Sequence, residues 1–185
     1  LKPRDLIATA RSLLEAGKSC HTEGAAEAAL RRAVSSCYYA LFHALARQCA
    51  DLLIGRIEDR EQRREIWRHV YRALNHGDAK EKCMREEIKE FGENVLDFAD
   101  AFVDLQIKRH SADYDPDPEL SDDPPIRFTE ETVANVIKLS EVAIDSLEAA
   151  PEEDRRAFCA FILLKSRNED GDLERLKQAR KRRSK

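Results

Sequence analysis

The chain has 185 residues, of which 42% are hydrophobic and 37% charged, enough apolar content for one ordinary globular domain with an extension and too much for a disordered tail. A formal net charge of -4 excludes a generic basic nucleic-acid coat, so any contact with a polyanion must be focal. Only six Gly and six Pro stand among abundant Ala, Leu, Glu and Arg, which sets an all-α expectation.

In chain order, a first helix is predicted from Pro3 to Ala16, with Pro at its start and Gly17 at its end. Its apolar residues Leu6, Ile7, Ala10, Leu13 and Leu14 form one stripe. Thr22 caps a long second helix that closes at Gly55, and its stripe Leu30, Val34, Cys37, Leu41, Leu45, Cys49, Leu52 advances by threes and fours. A third helix, Asp59 to Asn75, carries Ile66, Val70 and Leu74 among many arginines, and Asn75-His76-Gly77-Asp78 breaks it. The fourth is predicted from Glu81 to Ser111. There Ile88, Phe91, Val95, Phe98, Phe102 and Leu105 make a core stripe whose next member is Arg109.

From Ser111 to Phe128 four prolines and six acidic residues predict an extended acidic loop. Asp113, Asp115 and Asp117 alternate there, but the loop lacks the Gly and terminal Glu of a calcium loop. Thr129 caps a fifth helix that points Val133, Val136, Ile137, Ser140, Ile144 and Leu147 inward, and Pro151 restarts a sixth around Ala157, Phe158, Phe161, Ile162 and Leu164. The end, Arg180 to Lys185, is a basic tail. The expected architecture is an up-and-down bundle of four main helices over residues 1–150, followed by a helical extension with a basic tail over 151–185.

Cys20, Cys37, Cys49, Cys83 and Cys159 are odd in number, contain no Cys-x-x-Cys pair and read as reduced, packed thiols. No apolar run approaches a membrane span, the first residues lack an apolar signal core, and the cytoplasm is the expected location. No Gly-rich phosphate loop, zinc-ligand spacing or paired-carboxylate motif rises above background, and no cofactor is implied.

Two constellations carry chemistry. On the second helix Arg32, Ser36, Tyr39, His43 and Arg47 share one face, a row of guanidinium, phenol and imidazole that can hydrogen-bond and stack on a nucleotide. The same row also suits an amphipathic helix whose Tyr and His tips are satisfied at a bundle edge. Arg109 needs an anionic partner or a wet cleft where its helix seam should stay apolar, and Asp113, one turn on, offers the carboxylate. A phosphate site and a structural ion pair both fit that arrangement. The arginines from Arg56 to Arg72 and the basic tail are candidates for phosphate contact, but Glu58, Asp59, Glu61 and Glu65 dilute the first group.

The strings Tyr38-Tyr39-Ala40-Leu41-Phe42-His43 and Arg109-His110-Ser111-Ala112-Asp113-Tyr114-Asp115 resemble those of the HEPN superfamily, in particular small bacterial and archaeal members. The resemblance covers about Arg4 to Ala150. It implies a helical bundle that works on RNA or a nucleotide, a homodimer through the face carrying Arg109, and in the ribonucleases of the superfamily metal-independent cleavage at the dimer cleft. By that analogy Arg109 holds the scissile phosphate while a nearby base takes the proton of the 2′-hydroxyl.

The chain departs from this pattern at Tyr114, which stands where those ribonucleases have His; a phenol of ordinary pKa near 10 is a poor base at neutral pH. His110 points about 100° from Arg109 unless the helix ends at Ser111. Ser36 is a second departure, because relatives often have Arg before the Tyr-Tyr pair. A literal Arg-to-His spacing, Arg63 or Arg64 to His69, is what chance alone provides. Two readings follow. One is a non-catalytic or partner-dependent module that binds RNA or nucleotide, as half of a toxin–antitoxin or defence pair with a small nucleotidyltransferase. The other is a toxin-like endoribonuclease using Arg109 with Tyr114, His110 or His43.

Overall fold

Every element of the computed structural model is helical among the residues it describes, 2–56, 63–115 and 126–164. The start of the predicted third helix, most of the acidic loop and the basic tail lie outside them. Pro3 opens α1 (Pro3–Lys18), where a missing N–H costs nothing. The Thr22 hydroxyl accepts from the Ala25 N–H at 3.3 Å and starts α2 (Glu23–Ile54), which stops at Gly55. Gly55 has φ +96°, a conformation side chains resist.

α2 is the axis of the fold. It packs against α1, α3 (Arg64–Ala73), α5 (Glu93–Tyr114), α6 (Glu130–Ala149) and α7 (Glu152–Leu163). A helix with neighbours on so many sides must be apolar beyond a single stripe. Accordingly Ala33, Val34, Cys37, Tyr38, Ala40, Leu41, Leu45, Ala46, Cys49 and Ala50 are fully buried, and Leu52, at the end of the predicted stripe, is half-buried.

The predicted fourth helix is in fact three elements. The Asn75 side chain accepts from the N–H groups of Gly77 (2.8 Å) and Asp78 (3.3 Å), so the tetrad that breaks α3 also begins α4 (His76–Cys83). A 3-10 helix (Glu86–Phe91) follows, and Gly92 at φ +88° turns the chain into α5. The periodic apolar pattern ran through this break because Ile88 and Phe91 reach the same core from the 3-10 turn as Val95, Phe98, Phe102 and Leu105 do from α5. α5 also continues past Ser111 to Tyr114. In α3, Ile66 is 57% exposed rather than inward, as is Leu164 (67%) after α7.

α6 begins with a reciprocal cap: the Thr129 and Thr132 side chains each accept from the other residue's backbone N–H. α7 buries Phe158, Cys159 and Ile162 in the common core. Its last carbonyls, those of Phe161, Ile162 and Leu164, receive the Lys82 ammonium of α4 at 2.6–3.1 Å, a cation at a helix C-terminus. The thiols of Cys37 and Cys83 are buried, and burial pushes each up to about 12, so they pack as neutral groups. No described helix is long and apolar enough to cross a membrane.

Gly92 tests the break before α5, and Gly24 serves as its control. Gly92→Ala forces a side chain onto φ +88° and should lower stability by about 1–3 kcal/mol. Gly24→Ala, in the first turn of α2 with nothing within 4 Å of the new methyl, should raise it by about 0.5 kcal/mol. Urea unfolding of the two variants beside the parent checks both signs.

Candidate functional site

Arg109 follows Leu105, which is fully buried, one turn further along α5, and its side chain keeps only 19% of its exposure. A guanidinium there must find partners, and α5 and α2 supply them. Its Nε lies 2.7 Å from Asp113 Oδ2, close enough for an ion pair although the N–H is not aligned on the carboxylate. Its Nη2 donates to the Tyr39 hydroxyl at 3.0 Å and, more weakly, to that of Tyr114 at 3.5 Å. The guanidinium carbon stands 5.2 to 5.9 Å from the ring centres of Tyr114, Tyr39 and Tyr38, within cation–π range. Burial alone would lower the Arg109 pKa, but Tyr39, Asp113 and Tyr114 outweigh it and hold the value above the ordinary one.

Asp113 is itself held from α2. Its Oδ1 accepts from the Ser35 hydroxyl, and the exposed Arg32 guanidinium lies 3.8 Å from the same oxygen. One turn earlier Arg31 donates to the carbonyls of Ser111 (3.2 Å) and Asp115 (2.7 Å), closing the C-terminal end of α5. The end of α5 is thus fastened to the first half of α2 by Arg31, Ser35 and Tyr39.

From Tyr39 a run of rings continues along α2 to α3. Tyr39 stacks on His43 (26° between planes), His43 on Tyr71 (8°), and Tyr71 on Trp67 (21°). His43 Nδ1 is 2.7 Å from the Tyr71 hydroxyl. Trp67 Nε1 donates to Asp51 Oδ1 at 2.8 Å, and Arg47 Nε is 3.4 Å from Asp51 Oδ2. On the inner side His76, the first residue of α4, lies against Phe42 with ring centres 3.8 Å apart and holds the buried Tyr38 hydroxyl at 2.6 Å through Nδ1. Burial lowers the pKa of both histidines, and the Arg109 charge, then His43, lower that of His76 further. Both are neutral imidazoles at pH 7.

Of the residues singled out in the sequence, Arg109, Tyr114, Asp113, Tyr39 and Arg32 meet in one cluster, His43 joins through Tyr39, and Arg47 lies one turn beyond His43. His110 does not join. Because the helix runs on to Tyr114, His110 is exposed, and among the described residues its ring packs on Tyr114, 5.1 Å between centres. Ser36 bonds its own helix at the Arg32 carbonyl (2.9 Å), and its neighbour Ser35 is the one that faces Asp113. Ser35, Tyr71, His76 and Trp67 went unassigned in the sequence. An Asn cap at position 75 is the signal that marks His76 as the start of a helix rather than a loop residue.

The chemistry on offer is a charged fork walled by tyrosine rings, with a second guanidinium at its mouth and two neutral imidazoles behind it. Such a fork suits a phosphate, and the exposed Tyr114 ring suits a stacked base. Among the described residues no group of three His, Cys, Asp or Glu side chains is placed to hold a metal ion. Against family models, curated proteins and solved structures alike, the chain finds no match.

The histidines set a pH response. The unfolded chain takes up protons at His43 and His76 below about pH 6.5, whereas the folded chain resists until a lower pH. Their contribution is therefore complete above about 6.5 and is lost as pH falls through the depressed folded values. Urea midpoints at pH 7.5, 6.5 and 5.5 should decline with acidity in the parent, and His43→Gln with His76→Gln should flatten that decline.

Proposed function

We propose that this chain is a HEPN-type module that binds RNA or a nucleotide without cleaving it alone, one half of a toxin–antitoxin or defence pair whose other half is a small nucleotidyltransferase. The observation that carries the reading is the meeting of the two HEPN-like strings: Tyr39 and Arg109, seventy positions apart in sequence, share a 3.0 Å hydrogen bond, with Asp113 and Tyr114 in the same cluster. In this reading α1, α2, α5 and α6 are the four main helices of an up-and-down bundle, and a cytoplasmic homodimer forms through the face that carries Arg109.

Binding is favoured over cleavage because the group beside Arg109 is the Tyr114 phenol rather than an imidazole, and because Asp113 already neutralises the guanidinium. An incoming phosphate takes over donors now turned to Tyr39 and Tyr114, with Arg32 as the second cation. One observation favours the endoribonuclease reading: the His76 imidazole holds the Tyr38 hydroxyl at 2.6 Å and its ring centre is 6.0 Å from that of Tyr39, the partner of Arg109. There Arg109 holds the phosphate and His76 accepts the 2′-hydroxyl proton.

Incubation with mixed RNA in EDTA and fluorescence anisotropy with a labelled oligoribonucleotide separate the two. The proposal predicts intact RNA and binding that Arg109→Ala weakens by about 10- to 100-fold, the worth of charge-assisted hydrogen bonds. Fragments with 2′,3′-cyclic phosphate ends that vanish in Arg109→Ala would replace it with the nuclease reading. Binding equal in parent and variant would contradict both.

A further inference from the structure

At the other end of α2, a cleft of about 660 Å³ opens between the start of α1, the last turns of α2, the end of α6 and α7. Its size falls within the range of small-molecule sites, about 300–1,000 Å³. The charge of its walls is what distinguishes it. Lys2, Arg4, Arg47, Arg56 and Arg155 line it with the carboxylates Asp51 and Glu148, and with Asp145, which pairs with Arg4, counted in, the formal surplus is two positive charges in a chain whose net charge is -4.

The cations are positioned from several directions. Arg4 donates through Nη2 to both Asp145 (2.6 Å) and Glu148 (2.9 Å) of α6, which holds its head at the rim. Arg47 lies along Asp51, whose other oxygen is held by Trp67. Arg155, half-buried on α7, has a buried Nε–H that meets no acceptor among the described residues. A buried donor in that condition is uncommon in folded proteins, which marks Arg155 as a lining cation whose hydrogen bonding is incomplete. The buried side chains of Ile144 and Leu147 also line the cleft, beside the charged groups.

We propose that this cleft is a second anion site, one that takes the polyphosphate part of a nucleotide-sized ligand such as a nucleoside di- or triphosphate. Four arginines and a lysine converging on one opening match the charge of two or three linked phosphates better than that of a single carboxylate or monophosphate. The site does not rest on the reading of Arg109. The α2 residues of the cleft run from Ala44 to Asp51, about 8 to 18 Å along the axis from Tyr39, and the cleft adds α1, α6 and α7, which contribute nothing to the Arg109 cluster.

Isothermal titration of the full chain with tripolyphosphate and with ATP, at low and high salt, tests it. Arg56 is exposed, so Arg56→Glu leaves the core untouched, and Arg155→Gln retains bulk while removing charge; circular dichroism checks that each variant is folded. The expected result is salt-sensitive binding of both probes by the parent, weakened about tenfold or more in each of these variants, with inorganic phosphate weaker than tripolyphosphate. Arg109→Ala should bind tripolyphosphate as the parent does. No binding by the folded parent at millimolar probe, unchanged affinity in Arg56→Glu and Arg155→Gln, or loss confined to Arg109→Ala would each overturn the proposal.

Discussion

A guanidinium at the end of an apolar seam is the constraint around which this end of the molecule is arranged. Val95, Phe98, Phe102 and Leu105 are completely buried along α5, and the same line then arrives at Arg109. Taking that charge out of water is favourable only with a carboxylate and further polar or aromatic partners in place. Asp113 supplies the carboxylate, which requires α5 to persist as helix one turn past Arg109. Tyr39 and the faces of three tyrosine rings supply the remainder, which requires α2 to present adjacent tyrosines at this level. The Ser35 hydroxyl and the Arg31 guanidinium then fasten the end of α5 to α2.

The consecutive tyrosines of α2 do different work because neighbouring helix positions differ by about 100° in direction. Tyr38 turns into the core and gives its hydroxyl to His76, while Tyr39 turns toward Arg109 and heads the row of rings that ends at Trp67. Phe42 and His43 repeat the division one turn later, Phe42 on His76 and His43 on Tyr71. α2 therefore carries two aromatic tracks, one of which anchors α4 and the other α3, with Arg109 between their upper ends.

The helical class and the inward residues of α2, α5 and α6 were legible because their apolar steps of three and four coincide with real burial. Arg109 and Asp113 were legible for the complementary reason, a charge where the pattern demands a hydrophobe and a carboxylate one turn away. The division of the predicted fourth helix was hidden because its inward residues keep helical spacing across the 3-10 turn, and only Gly92 marks the break. The Ser35 contact was hidden for another reason. Ser35 and Ser36 lie four and three residues before Tyr39, so periodicity puts both near its face, and nothing in the sequence states which of the two Asp113 meets. His76 was obscured by its place in an Asn-His-Gly-Asp string that reads equally as a turn and as a helix start.

Whether Arg109 and Tyr39 act as one RNA-binding unit, as proposed, is addressed most directly by a double-mutant cycle on oligoribonucleotide affinity. Arg109→Ala, Tyr39→Ala and the double variant, all folded, should show a coupling of about 1 kcal/mol or more, with the double variant little worse than Arg109→Ala alone. Strictly additive losses, or affinities that none of the three substitutions alters, would contradict the claim that these two residues form one binding site.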